Sequence, residues 1–229
     1  MGMRSTWDAL ARADPGIYVG DPARALAELE SLFGRLGADP RGGTCVEVGC
    51  GPGRMTGYLA ERFDRVLALD VSPAMVAQAR ARAYAEGWDN VAFEVVCGER
   101  LDGVAGGMAD VVVCYLVLQH LPARRLVEAY LSEIGRVLAP AGTAFIQLPV
   151  LEPGLVARAW RLLRSAAVPI HALLARGPEA SPALRGVRLS GSELGRAIGS
   201  AGLGVGARDT GPDAPYRFSR DVFLRLERA

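Results

Sequence analysis

The sequence predicts an α/β fold: a doubly wound, seven-stranded, mostly parallel sheet with helices on both faces and a small helical cap inserted after the fifth strand. Three observations carry this. Short apolar runs rich in valine alternate with helix-like segments from Cys45 to Leu148. A turn with glycines at alternate positions, V-E-V-G-C-G-P-G-R over 46–54, joins the first such run to a helix. Pairs of a capping residue and a proline, Asp21-Pro22 and Ser72-Pro73, stand where that rhythm needs helix starts.

In chain order, Asp21-Pro22 opens a helix whose Leu26, Leu29, Phe33 and Leu36 form one apolar stripe, and Gly37 ends it. Cys45–Val48 is the first strand, and Thr56–Arg62 lies in a long crossover helix. Arg65–Leu69 is the second strand, ending in Asp70; the helix opened by Ser72-Pro73 runs to Glu86 and stops at Gly87. Val91–Val96 and Asp110–Tyr115 are strands three and four, and Leu121-Pro122 opens a helix with Leu126, Tyr130, Ile134 and Val137 on one face. Thr143–Leu148 is strand five.

The alternation then breaks. Residues 151–190 hold six arginines and two acids, with Leu155, Ala159, Leu162 and Ala166 on one helical face and Arg158, Arg161 and Arg164 on another. Pro169 is expected to kink or end that helix, and Gly177-Pro178 and Ser181-Pro182 mark a looser stretch. Ser190 and Glu193 form a capping box for a last helix, and Leu203–Asp209 and Asp221–Glu227 are the final strands. The expected organisation is one domain over 1–229: an N-terminal helical lid (1–40), a core (41–150), the inserted cap (151–190), and a last helix with two strands (191–229).

Composition narrows the class of partner. A net charge of +1 gives no drive toward nucleic acid, and no aromatic-interleaved basic groove is present. All 26 basic residues are arginine, as a GC-rich bacterial coding sequence favours, which removes both Schiff-base lysine chemistry and a P-loop lysine. Cys45, Cys50, Cys97 and Cys114 form no C-x-x-C pair and read as free buried thiols in a reducing compartment, with no metal. The charged first turns are unlike a signal peptide, and no apolar run is long enough to span a bilayer, so a cytoplasmic protein is expected.

The glycine turn points to a ligand. Gly49, Gly51 and Gly53 let backbone approach it without Cβ atoms intervening, and Asp70 ends the next strand 21 residues after Gly49. In a doubly wound sheet, adjacent strand ends meet at the ligand crevice, where a carboxylate accepts from both hydroxyls of a ribose. A dinucleotide fingerprint needs glycine where Arg54 stands, which counts against an NAD-dependent oxidoreductase.

E-V-G-C-G-P-G-R, L-D-V-S-P-A-M, D-V-V-V-C-Y-L-V-L-Q-H-L-P and E-I-G-R-V-L-A-P-A-G, in this order over residues 42–150, resemble the successive motifs of class I S-adenosylmethionine-dependent methyltransferases. The resemblance implies S-adenosylmethionine as cofactor, S-adenosylhomocysteine as product, and no metal. It implies that Gly49, Cys50 and Gly51 contact the methionine half, that Glu47 meets the ammonium, and that Asp70 holds the ribose. Val71 and Met75 would flank the adenine, or serve as core, and the Tyr115 backbone would lie near the methionine amine. Cys97 stands where the family has an adenine-contacting aspartate; a thiol is a poor acceptor, so Gly98 and Glu99 are the expected substitutes.

His120 is a candidate general base or a structural residue at the helix entry, whereas His171 reads as solvated or packed. Trp7 and Tyr18 either fold over the cofactor as a lid or anchor the first helix. The arginines of 151–190 leave three readings open: a receptor for a carboxylate or phosphate on the acceptor, a basic amphipathic helix over 154–176 on an anionic membrane, or a solvated face. The implied function is O- or N-methylation of a small-molecule acceptor, anionic on the first of those readings, by a monomer or homodimer. The alternative is a cofactor-binding scaffold or regulator without turnover.

Overall fold

The computed structural model describes residues 2–13, 24–174, 184, 186–213 and 218–229, with backbone alone for 165–166, 168–174 and 212–213. The helices are α1 (Met3–Ala13), α2 (Ala25–Arg35), α3 (Thr56–Arg62), α4 (Pro73–Glu86), α5 (Arg124–Val137), α6 (Leu155–Leu174) and α7 (Gly191–Ser200). The strands are β1 (Thr44–Val48), β2 (Arg65–Asp70), β3 (Val91–Val95), β4 (Ala109–Cys114), β5 (Leu138–Leu151), β6 (Leu189–Ser190), β7 (Leu203–Asp213) and β8 (Ser219–Arg228).

These strands form one sheet in the order β3-β2-β1-β4-β5-β8-β7, with the two-residue β6 pairing beside the end of β5. Pairing is parallel from β3 through β5 and antiparallel at β5–β8 and β7–β8. The short β6 adds an eighth strand to the seven expected. The sheet is doubly wound because alternate strand residues feed two cores. Val46, Val48, Leu67, Leu69 and Ile146 pack with α5 and α7, while Cys45, Val66, Ala68, Val111 and Phe145 pack with α2, α3 and α4. Side chains that alternate across a pleat, apolar on both faces, require helices on both sides.

Most local signals act as expected. The Ser72 hydroxyl accepts from the Met75 amide at 3.2 Å, Pro73 occupies the first turn, and Gly87 closes α4 in the left-handed region. Ser190 and Glu193 complete the capping box of α7.

Four expectations need correction. The crossover helix α3 has only seven residues, because positive φ angles at Gly49, Gly51 and Gly53 delay its start. Pro122 does not open α5. It follows a 3-10 turn, Leu118–His120, and its ring favours extended backbone at Leu121 (ψ 122°), so the helix starts at Arg124. α6 continues through Pro169 to Leu174. Cys97 is exposed, whereas Cys45, Cys50 and Cys114 are buried; all four are free. Asp21-Pro22, Tyr18, Gly177-Pro178 and Ser181-Pro182 lie outside the described residues. Among the described residues, no helix is long and apolar enough to cross a membrane.

Candidate cofactor site

Strand order reverses between β1 and β4, and at that switch point the carboxyl ends of β1, β2 and β4 open into one cleft. The cleft and its mouth enclose about 1030 Å³ and are lined by Glu47, Gly49, Cys50, Gly51, Asp70, Val71, Met75, Tyr115 and His120. Residues up to 73 positions apart in sequence thus meet at one place.

The glycine turn is held from behind. Gly49 and Cys50 donate their N–H groups to the Leu69 carbonyl at 2.7 and 2.9 Å, and Gly51 donates to Asp70 Oδ2 at 2.9 Å. Three N–H groups are thereby turned back toward β2 and taken up within the fold. That counts against a phosphate at this turn, the reverse of a nucleotide-binding turn. Gly49 has a φ of 76°, and a Cβ there would lie 2.4 Å from Val117 Cγ2, so this position admits no side chain without displacement.

Two buried carboxyls face the same space. Glu47 accepts from the Thr56 hydroxyl at 2.7 Å; burial pushes its pKa up to about 7, partly offset by that hydrogen bond. Asp70 is 9% exposed, and its other oxygen accepts from the Ser72 amide at 2.8 Å. Burial raises its pKa as well, opposed by backbone hydrogen bonds. Each Asp70 oxygen uses one acceptor direction on the backbone and keeps another for a ligand hydroxyl. Arg54 is buried and pairs with Glu28 at 2.8 Å, tying α2 to the turn.

A second wall comes from α1, whose Met3 and Trp7 line the cleft. Arg4 donates to the carbonyls of Val71 and Val96, both at 3.1 Å, and Asp8 accepts from the Ser72 hydroxyl and the Ala74 amide. Trp7 meets the His120 ring edge-on, with centroids 5.1 Å apart. Val71 and Met75 line the cleft and are also almost fully buried, so each serves the wall and the core together.

Gly98 and Glu99 are not brought into the cleft. The Glu99 carboxylate pairs with Arg125 at 2.7 Å, and Met3 Cε stands 2.6 Å from where a Gly98 Cβ would be. The Cys97 amide donates to Asp102 at 3.1 Å, away from the lining.

The loop after β4 is strained and braced. Leu116 has a φ of 60°, costly for leucine, and its amide donates to Gln147 Oε1 at 3.2 Å. Gln147 in turn donates to Asp221 at 2.7 Å. Arg188 is buried and donates to the Gln119 carbonyl at 3.1 Å, while the Val187 amide donates to Leu121 O at 2.7 Å. Segment 186–188 therefore clasps the turn that carries His120. Burial, together with the Arg188 charge, lowers the His120 pKa to about 4. Gln119 Nε2 lies 3.1 Å from His120 Nε2, an arrangement that makes Nε2 the acceptor of a neutral ring.

Sequence reading did not find Met3, Arg4, Gln147 or Arg188. None stands in a motif, and each reaches the site across more than 25 residues of chain.

The lining fits the cofactor by its chemistry: Glu47 would suit an ammonium, Asp70 a ribose diol, and Val71, Met75 and Val96 an aromatic base. Residues 45–142 match the family described as a methyltransferase domain. Over 140 residues the chain is 30% identical to the ubiquinone biosynthesis O-methyltransferase of Xanthomonas axonopodis pv. citri, a span covering 61% of this chain and 54% of that protein. Over 139 residues it is 31% identical to the trans-aconitate 2-methyltransferase of Mycobacterium tuberculosis, covering 59% and 48%. The chain thus spans about half the length of the curated relatives it matches. Its fold is similar to that of a SAM-dependent methyltransferase from Leishmania major, with a TM-score of 0.69 at 14% identity, covering 98% of this chain and 81% of that one. Sheet order, cleft and these likenesses agree, and together they support a class I S-adenosylmethionine-dependent methyltransferase.

Proposed function

We propose that the protein transfers a methyl group from S-adenosylmethionine to an oxygen or nitrogen of a small-molecule acceptor. The observation that carries this reading is the convergence of the inward-bonded glycine turn, Glu47 and Asp70 on one cleft. S-adenosylmethionine, when bound, supplies an electrophilic methyl on a sulfonium, so the protein's task is chiefly orientation.

Gly49, Cys50, Gly51 and Glu47 hold the methionine end, and Asp70 accepts from the ribose hydroxyls. Val71 and Met75 enclose the base. Tyr115 and His120 border the acceptor end, and α1 with Trp7 excludes water. Burial pushes the Tyr115 phenol up to about 12, so it stays protonated and is a hydrogen-bond donor at neutral pH. His120, with a pKa near 4, is neutral there and is a weak base; it orients an acceptor better than it deprotonates one. The names of the relatives carry an organic acid and a quinone, which supports a small-molecule acceptor.

Calorimetry with S-adenosylmethionine, then S-adenosylhomocysteine formation across acidic, phenolic and amine acceptors, tests the reading. Tight cofactor binding with turnover on one class is the expected result. Absence of cofactor binding would refute it. Binding without turnover on any class would favour the silent scaffold.

A further inference from the structure

We propose that the outer face of α6 is a docking surface for an anionic lipid bilayer. The packing of α6 is the reverse of that of an ordinary surface helix. Its protein-facing side carries Ala157, Trp160, Arg161 and Arg164. Arg161 donates to Glu193 at 2.6 Å, and Arg164 donates to the Gly186 carbonyl at 2.9 Å. The Arg164 guanidinium lies 5.6 Å from the Trp160 ring centroid, and Trp160 packs edge-on against Phe218 at 5.9 Å. Polar and aromatic contacts thus fasten the helix through the side that its sequence marks as charged.

Its apolar stripe faces outward. Leu155, Val156, Leu162 and Leu163 are 81%, 67%, 71% and 72% exposed. Among the described residues eight large apolar side chains are exposed, and half of them fall within these nine positions of one helix. Scattered exposed leucines need no explanation, whereas a contiguous patch fastened by arginines from behind marks an interaction surface.

Charge and size select the occupant. α6 contains three arginines and no acid. Arg158 is exposed beside the leucines, and Arg161, although paired, keeps about a third of its side chain exposed. A stripe of leucines bordered by arginines suits an interfacial helix with its apolar side in the acyl boundary and guanidinium groups among phosphates. The patch is about 12 Å long by helical rise, too small for the roughly 800 Å² per partner that a stable dimer buries. No helix among the described residues is long and apolar enough to span, so the contact is peripheral.

Position adds a consequence. α6 starts four residues beyond Leu151, at the same carboxyl edge of the sheet on which the cleft opens. A bilayer seated at the start of α6 would lie toward the edge of the sheet on which the cleft opens, a placement that would suit an acceptor dissolved in lipid. That consequence rests on the methyltransferase reading; the docking itself does not.

The test is vesicle co-sedimentation of the full chain and of the double variant Leu162→Glu/Leu163→Glu, with calorimetric S-adenosylmethionine binding measured on both. The wild-type chain is expected to sediment with mixed phosphatidylglycerol–phosphatidylcholine vesicles and not with phosphatidylcholine alone. The double variant should lose at least ~10-fold in partitioning while cofactor affinity is unchanged. Lack of sedimentation by the wild type, or equal sedimentation of the double variant, overturns the proposal. Equal binding to uncharged vesicles overturns the role of charge. Self-association that the double variant abolishes, without vesicle binding, makes the face a contact between copies and overturns the lipid assignment. Loss of cofactor binding in the wild type would count against the proposed function and leave the docking result standing.

Discussion

The cofactor half of the molecule and the inserted cap treat polar side chains in opposite ways. Between β1 and β5, carboxyls and glycine amides turn inward, and each is met by a partner within hydrogen-bond reach: Glu47 by Thr56, Asp70 by Gly51 and Ser72. In α6, Arg161 and Arg164 turn inward and the leucines are left in solvent. The first arrangement is a site that local geometry completes. The second is a surface that local geometry leaves incomplete, so its free energy is settled by what lies against it.

Substitutions should separate the two regions by size of effect. The largest is expected at Gly49→Ala, where the new Cβ meets Val117 at 2.4 Å and the left-handed backbone disfavours any side chain. Overpacking and backbone strain together cost about 3 kcal/mol. Thermal unfolding should show a drop of roughly 6–12 °C; an unchanged midpoint would mean that the cradle yields freely.

Next is the pH response of Glu47. Its carboxyl ionises near 4.5 when unfolded and near 7 when folded, so the folded chain retains the proton across that window. The contribution is fully present below 4.5, declines as pH rises, and is gone above 7, at most about 3 kcal/mol. Denaturant melts of the wild type and Glu47→Gln should run parallel below pH 4.5, change in separation between 4.5 and 7 as the wild type loses stability, and run parallel again above 7. Parallel curves throughout would remove Glu47 as the source.

Asp70→Ala removes charged acceptors from two backbone amides and, on the proposed reading, from the ribose, and should weaken S-adenosylmethionine by ~2 kcal/mol, roughly 30-fold, with the fold retained. Calorimetry giving wild-type affinity would end that assignment. The smallest effect belongs to the cap. Leu162→Ser, at a side chain 71% exposed, should change stability by no more than about 0.5 kcal/mol in the absence of vesicles. A loss of several kcal/mol there would show that the face is covered within the chain itself and would erase the contrast between the two regions.

Much of the cofactor half was legible in the sequence because its determinants are local. A valine run, glycines requiring positive φ, and a serine–proline helix start act within a few residues, and they produced β1, the turn and α4 where expected. The misjudged details are those decided by neighbours. Helix α3 is shortened by the turn before it, and Leu121, already held extended by Pro122, has its carbonyl taken by the Val187 amide. Glu99 is drawn to Arg125 on α5, a pairing that no motif announces.

The sequence by itself determined the order of strands and helices, the glycine cradle and the two carboxyls, since periodicity and backbone preference are properties of short segments. It also determined that α6 has an apolar and an arginine side. Only the tertiary structure decided which side faces in. Of the three arginines, Arg161 and Arg164 turn to Glu193 and the Gly186 carbonyl, which stand 32 and 22 residues away, while Arg158 stays exposed. Likewise, Arg4, Gln147 and Arg188 joined the site only when folding brought distant backbone carbonyls and amides within hydrogen-bond reach.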